Sequence, residues 1–356
     1  MIQKITIKNF KVFDFIEIEG FSRINVFVGA NDSGKTSLLE AIFLSLSPND
    51  PNLLFKTLFF RGFFARADNI DSIFYNFNSK NPIKIATQND GIHLEVQIEI
   101  SFEENRQIDL LGQKVGIDSS SNRLINGLEF KSRVNHQPEI VSSVKIVKNR
   151  QGTQETQTFI PQNYFFKNGL FFPVEYFITL EDLAINIDSI RRNKATEGFI
   201  EYLKIFNPHI IDIEVNGASV YVNLENKPKL LDIHLMGAGF KKYTLILAAI
   251  FEASIKRKGM DCLCVCVDEI ENGLYFENCE KFLESLITLG REMNIQYFFS
   301  THSLEFLEIL RKVADRMDFD ECAIFKIQET KKGIKSYKYT FEQSPYFEIE
   351  HLDPRD

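Results

Sequence analysis

The chain has 356 residues, 44% of them hydrophobic, and a formal net charge of −8 at pH 7. That length and apolar content suit a globular protein with one large core or two smaller ones, and no apolar run approaches the roughly 18 residues that cross a bilayer. The acidic balance supplies no global field for nucleic acid, so any DNA contact would need a local basic patch.

In chain order, residues 2–8 alternate imperfectly and 15–18 alternate again beyond the turn Asn9-Phe10-Lys11, which predicts two paired strands. The opening has no signal-peptide core, so a cytoplasmic home is expected and no membrane. The apolar run 24–28 predicts a strand; 37–46 predicts a helix, because Leu38, Leu39, Ile42, Phe43 and Leu46 are spaced for one buried face. Ser47-Pro48-Asn49-Asp50-Pro51 breaks the chain before a Phe-rich, helix-like piece. Its Phe55, Phe59, Phe60, Phe63 and Phe64 are expected to fill a core, with an exposed protein interface as the competing reading.

Residues 84–102 read as a hairpin about Asn89-Asp90-Gly91, with Ile92, Leu94, Val96, Ile98 and Ile100 on one face. Residues 103–160 turn polar, show only short apolar alternations and carry no heptad repeat, and are expected to form an insertion. Helical spacing over 185–206 ends at Asn207-Pro208, and two strands follow across Asn216-Gly217. A glycine turn, Met236-Gly237-Ala238-Gly239, precedes a helix over 240–256. The apolar run 262–267 then ends in Asp268-Glu269, as expected of a buried parallel strand delivering acids at its C-terminal end. A helix over 277–293 leads to the strand 296–299, which ends in Ser300-Thr301-His302-Ser303, and a hairpin closes the tail. Cys262, Cys264 and Cys266 share one strand face and read as buried, inert thiols, since no His or second Cys pair stands nearby at zinc spacing. The clusters Arg191-Arg192-Lys194, Lys256-Arg257-Lys258 and Lys331-Lys332-Lys335 read first as solvated surface.

The chemistry centres on Gly29-Ala30-Asn31-Asp32-Ser33-Gly34-Lys35-Thr36, which fits G-x-x-x-x-G-K-[ST] in the order strand, glycine loop, helix. Gly29 and Gly34 permit backbone conformations that let successive N–H groups converge on a phosphate at the positive end of the helix. Lys35 adds a full charge and Thr36 an oxygen for Mg²⁺, so ATP with Mg²⁺ is the expected ligand pair. Gly29, Asn31, Asp32, Ser33, Gly34, Lys35, Thr36 and Ser37 are expected around its phosphates. A metal beside Thr36 needs an acid for its water shell, which fits Asp268; attack on the γ-phosphate needs a base or water-orienting group, which fits Glu269, with Glu271 as the competing candidate. His302 is placed to sense or polarise the γ-phosphate.

Ile7-Lys8-Asn9-Phe10-Lys11 is similar to an I-x-N-F-[RK] opening, and Asn31 sits where related P-loops read G-x-N-x-S-G-K. With these motifs, over 1–100 and 165–330, the chain resembles ATP-binding-cassette type ATPases of the RecF, SMC and OLD branch. By that resemblance Gly237-Ala238-Gly239 stands at the signature motif, Asp268-Glu269 at Walker B with its catalytic glutamate, and His302 at the switch histidine. Glu271-Asn272-Gly273-Leu274 resembles the segment after Walker B in the OLD-like group. The resemblance implies an α/β P-loop NTPase: an ABC-ATPase head with a mixed, largely parallel central sheet, flanking helices and a β-rich insertion. It divides the chain into an N-terminal lobe part with the P-loop (1–102), the insertion (103–160) and a C-terminal part (161–356). It also implies that Lys11, Gly237 and Gly239 approach the nucleotide, and that two copies sandwich ATP as a homodimer or within a higher homo-oligomer. The expected role is a switch ATPase that controls a separate effector, a nuclease or toxin, in bacterial anti-phage defence. The alternative is a RecF-like repair or chromosome-maintenance ATPase that clamps DNA. Gly237 departs from the signature's usual Ser and removes a side-chain contact, although the helix N-terminus at Gly239 keeps its backbone donors. Gln88, Gln97 and Gln162 are equal candidates for the Q-loop. A transporter subunit is disfavoured by the absence of a membrane segment, and a long-armed SMC protein by the absence of heptads; 303–356 is short for a Toprim nuclease domain.

Overall fold

The computed structural model describes residues 1–63, 69–89, 91–102, 125–148, 154–161, 169–174, 180–257, 262–331 and 333–339. The chain opens with β1 (Ile2–Phe10), β2 (Phe13–Glu19), β3 (Ile24–Val28), α1 (Lys35–Leu46) and α2 (Pro51–Phe60). Strands follow: β4 (Ile83–Asn89), β5 (Ile92–Phe102), β6 (Ile125–Val134), β7 (Ile140–Lys148), β8 (Gln154–Phe159) and β9 (Gly169–Phe172). Then come α3 (Leu180–Arg192), α4 (Thr196–Phe206), β10 (Ile210–Asn216), β11 (Ser219–Leu224), β12 (Leu231–Asp232) and α5 (Ala238–Lys256). The remaining elements are β13 (Leu263–Val267), α6 (Phe276–Glu292), β14 (Ile295–Ser300), α7 (Leu304–Arg316), β15 (Cys322–Thr330) and β16 (Gly333–Tyr339). They form two compact units, one of residues 1–3, 18–46 and 167–356, the other of 4–17 and 47–166.

The first unit is built on a six-stranded sheet of order β16-β15-β3-β14-β13-β9. Every neighbouring pair is parallel except β15 with β16. Parallel sheets are covered on both faces, so their strands are apolar throughout rather than alternating; β3, β13 and β14 are buried at every position. Ile24, Val26, Val28, Leu263, Val265, Val267, Ile295, Tyr297 and Phe299 share one core with residues of α3 to α7. The residues between them, including Phe27, Cys264, Cys266 and Phe298, point to the opposite face, against which α1 packs. There Phe43 of α1 stacks on Phe171 of β9 with centroids 5.5 Å apart. The buried amides have assigned partners: Asn25 Nδ2 donates to Ser22 O (2.8 Å) and Tyr297 O (3.0 Å). Gln296 Nε2 donates to Ile2 O (2.8 Å) and Ser22 O (2.9 Å). Burial on both faces leaves the strands' C-terminal ends as the place where polar groups can gather, which is where open α/β sheets bind ligands.

The second unit holds a seven-stranded sheet of order β2-β1-β4-β5-β6-β7-β8, with α2 packed on β7. The segment 103–160 therefore contributes β6, β7 and β8 to a sheet that 1–102 begins, and its removal would leave β5 as a raw edge. Residues 103–124 and 149–153 of that segment lie outside the described residues.

Two helical expectations change. The span 185–206 is two helices, because Lys194 adopts φ 59° and ends α3. The Ala195 N–H donates to Ile190 O (3.0 Å) and the Lys194 N–H to Arg191 O (3.0 Å), the paired bonds of a left-handed helix stop. The Phe residues of α2 do not fill a core. Its buried face is Pro51, Leu54, Thr57 and Leu58, the i, i+3, i+4 set, whereas Phe59 is 54% exposed and Phe55, Phe60 and Phe63 are half-buried. Phe64 lies outside the described residues.

Candidate nucleotide site

The P-loop joins β3 to α1. Gly29 (φ 147°), Asp32 (φ 61°) and Gly34 (φ 100°) all take positive φ. At Gly29 the need for glycine is also steric: a Cβ there would stand 2.2 Å from the carbonyl oxygen of Ile327. Lys35, the first residue of α1, is 5% exposed. Its Nζ donates to Gly29 O and Ala30 O, each at 2.7 Å, so the ammonium sits inside the loop. Burial lowers the Lys35 pKa to about 8, partly offset by Asp268, Glu269, Glu271 and Asp32. A phosphate placed in that loop would offset the same desolvation.

The acids arrive from β13, whose neighbours are β9 and β14. Asp268 follows the strand directly: its N–H donates to Phe172 O at 2.8 Å and it is buried. Ser300, at the end of β14, donates its hydroxyl to Asp268 Oδ1 and accepts the Glu269 N–H at 2.8 Å. At Glu269 the backbone leaves the strand with φ 44°. Left-handed backbone costs a non-glycine residue about 1–3 kcal/mol, and hydrogen bonds at roughly 0.5–1.5 kcal/mol each are enough to hold it. Glu271, the competing candidate for the base, therefore does not share Glu269's face as it would on a continuing strand. Instead 269–274 form turns, with Asn272 N–H bonded to Glu269 O and Leu274 N–H to Glu271 O, both at 3.0 Å.

His302 lies at the next strand's end. Its N–H donates to Glu271 Oε1 at 2.8 Å, and its Nε2 stands 3.9 Å from Glu269 Oε1. Among the described residues Glu271 Oε2, which is buried, has no hydrogen-bond partner, an acceptor left over for a bound group. Burial first, then Asp268 and Glu271, raise the Glu269 pKa, while burial and Lys35 lower that of His302. A carboxylate shifted upward is a better proton acceptor at neutral pH.

Gly237 is the uncapped N-cap of α5, and a Cβ added to it meets nothing within 4 Å. At Gly239 a Cβ would stand 3.0 Å from Gly273 O, so this residue faces its own chain and can offer a ligand only its N–H. Leu235, two residues before Gly237, and Tyr275, two residues after Gly273, are 74% and 83% exposed. Lys11 belongs to the second unit, in the turn between β1 and β2, with its Nζ 5.4 Å from the Phe10 ring centroid. Gln88 and Gln97 lie on β4 and β5 of that unit, where Gln97 bonds Glu99; Gln162 is outside the described residues.

The motifs gave no sign of one residue here. Lys242 on α5 donates to the carbonyls of Glu269, Ile270 and Asn272, each at 3.0 Å. Burial pushes its pKa down to about 8. A lysine in the first turns of a helix carries no sequence signal of such a contact.

Among the described residues no group of three or more His, Cys, Asp or Glu is placed to hold a metal. Mg²⁺ is a hard cation that takes one or two protein oxygens and completes its shell with phosphate and water; Thr36, the second residue of α1, and Asp268, directly after β13, carry oxygens of that kind. Together with the glycine cradle at Gly29, the residues fit Mg²⁺-ATP.

A family model described as an AAA domain matches residues 4–234. The chain belongs to the AAA domain family. A second AAA domain model, named for the AbiEii toxin and Type IV TA systems, matches residues 208–308. The ATP/GTP phosphatase of Helicobacter pylori (strain ATCC 700392 / 26695) is 25% identical over 381 aligned residues, 98% of each chain. Protein MJECL10 of Methanocaldococcus jannaschii is 26% identical over 165 residues, covering 45% of this chain and 71% of that one. Among solved structures, the Smc head bound to the C-winged helix domain of ScpA is 14% identical with a TM-score of 0.50, over 97% of this chain and 99% of that chain. The AAA domain thus has the Smc-head form of the P-loop fold, as the motifs led one to expect, and the chain is an ATPase. No helix among the described residues is long and apolar enough to cross a membrane.

Proposed function

We propose that this AAA ATPase is a nucleotide-operated switch: two copies sandwich ATP, and hydrolysis resets a separate protein effector of the OLD-like, anti-phage kind. The observation that carries the reading is the convergence of Lys35, Asp268, Glu269, Glu271 and His302 at the C-terminal ends of β3, β13 and β14.

In this reading Lys35 and the N–H groups of the P-loop hold the β- and γ-phosphates, with Asn31, Asp32, Ser33 and Ser37 shaping the loop. Thr36 and Asp268 hold Mg²⁺, which when bound supplies positive charge against the phosphates. Ser300 fixes the orientation of Asp268. Glu269 orients and deprotonates the attacking water, and His302, lying toward its neutral form, donates a hydrogen bond as charge develops on the γ-phosphate.

Support for the dimer comes from the exposed, uncapped start of α5, whose orphan N–H groups suit a phosphate of the opposing copy, and from exposed Leu235 beside it and exposed Tyr275, two residues after the Gly273 that Gly239 faces. Light scattering should show the mass doubling with a non-hydrolysable ATP analogue. Tyr275→Asp should prevent the doubling while the single chain still binds ATP. Gly237→Asp, whose side chain has open space, should do the same by setting a carboxylate against the incoming phosphate. An unchanged wild-type mass would remove the sandwich. Gly239→Asp is a poor probe, because its side chain would strike Gly273 of its own chain.

The effector part draws support from the match of 208–308 to the AbiEii-named model. A neighbouring gene for a nuclease or toxin, whose product binds this chain in a nucleotide-dependent way, is the expected finding. Nucleotide-dependent DNA clamping beside replication genes would favour the RecF-like role instead.

A further inference from the structure

We propose that Lys242 is a positioning residue for hydrolysis: its ammonium, bonded to the carbonyls of Glu269, Ile270 and Asn272, holds Glu269 in the left-handed backbone conformation that aims its carboxylate at His302. The proposal rests on the reading of Glu269 as the base and adds the device that orients it.

An ammonium group has three donors and no acceptor. Lys242 spends all three on this one turn, at 3.0 Å each. Nothing remains for a phosphate, so Lys242 is not a second P-loop lysine. The turn it holds is the one whose geometry matters: the Glu269 N–H is fixed by Ser300 Oγ at 2.8 Å and its C=O by Lys242 together with the Asn272 N–H. Glu269 is thereby pinned at both ends, from β14 and from α5, at φ 44°. Released from one pin, a glutamate relaxes toward ordinary backbone angles, and its carboxylate leaves the position 3.9 Å from His302 Nε2.

The plain alternative is that Lys242 only satisfies buried carbonyls. Asn272 is exposed, however, so water reaches its carbonyl without help, whereas Ile270 is buried and Glu269 half-buried. A half-buried cation is a costly way to satisfy a carbonyl that water can serve, and Lys242 spends a donor on it. Lys242 also sits five residues beyond Gly237, on the helix whose N-terminus is read as the phosphate sensor of the opposing copy. A shift of α5 on docking would move the pin directly, which links the state of one subunit's signature helix to the placement of its own base.

The test uses the full chain with Lys242→Met, which keeps length and loses the donors, and Lys242→Arg, whose planar fork reaches some of the same carbonyls. ATP affinity, single-turnover rate and melting temperature are measured for each. Lys242→Met should bind ATP within about threefold of wild type while its single-turnover rate falls about 10- to 100-fold, and Lys242→Arg should recover most of that rate. Added to Glu269→Gln, Lys242→Met should cost nothing further, since a pin acts only through what it holds. A folded Lys242→Met at the wild-type rate overturns the proposal. So does a full additional loss in the double variant, or a loss of affinity and melting temperature that accounts for the whole rate change. If Lys242→Met fails to fold, Lys242→Gln decides by the same split between affinity and rate. Should Glu269→Gln itself turn over normally, the base assignment fails. If Glu269→Gln is inactive and Lys242→Met is not, only the Lys242 proposal fails.

Discussion

Lys35→Ala is expected to remove ATP binding. The residue is buried, its ammonium lies inside the loop between Gly29 O and Ala30 O, and the acids about it leave no other cation from the P-loop aimed there. Alanine takes away a charge-assisted bond to phosphate, and the phosphates would then face Asp268, Glu269 and Glu271 without compensation. A loss of about 3 kcal/mol or more, roughly 100-fold in Kd, is the expected scale. Direct titration of the Mg²⁺ nucleotide measures it, and wild-type affinity in the folded variant would sink the P-loop reading. Of the two carbonyls freed by the truncation, that of Gly29 is buried and that of Ala30 half-buried, so the melting temperature should fall as well as the affinity.

Glu269→Gln separates binding from chemistry. The amide keeps the shape and hydrogen-bonding reach of the acid but loses the charge that orients and deprotonates water, so ATP should bind while turnover falls by about 10² or more. The chain should then accumulate as the ATP-bound dimer. Asp268→Asn should act earlier, weakening Mg²⁺-nucleotide affinity itself, since Ser300 holds that carboxylate where the metal is proposed to sit. Glu271→Gln is the informative control. Glu271 Oε1 accepts the His302 N–H at 2.8 Å, a bond that a glutamine oxygen can keep, so this variant should retain more activity than Glu269→Gln. Single-turnover hydrolysis compares the two, and the reverse order would transfer the role of base to Glu271.

Much of this site was legible in the sequence because phosphate chemistry imposes local rules. A glycine loop between a strand and a helix needs Gly29 and Gly34 whatever surrounds it, and a parallel strand buried on both faces is apolar until it ends, which located Asp268 and His302. Three features escaped for physical reasons. The Phe-rich stretch reads as core by composition, yet only the face holding Leu54, Thr57 and Leu58 meets the sheet, and a helix's orientation is set by what it packs on. The segment 103–160 reads as a β-rich insertion, yet β6, β7 and β8 extend the sheet that β5 belongs to, because strand pairing depends on a partner outside the segment. Gln296 and Asn25 are wholly buried although both are polar, since their partners are main-chain groups brought close by the fold.

The sequence by itself determined the order of the nucleotide-binding parts and the strand ends on which they lie, since each depends on residues close together in the chain. The tertiary structure alone decided which way the acids face. Glu269 leaves its strand at φ 44° where Ser300, 31 residues away, and Lys242, 27 residues away, bond its main chain, and Glu271 turns to the main chain of His302, 31 residues away. Contacts at such separations leave no periodicity or spacing for the chain to display.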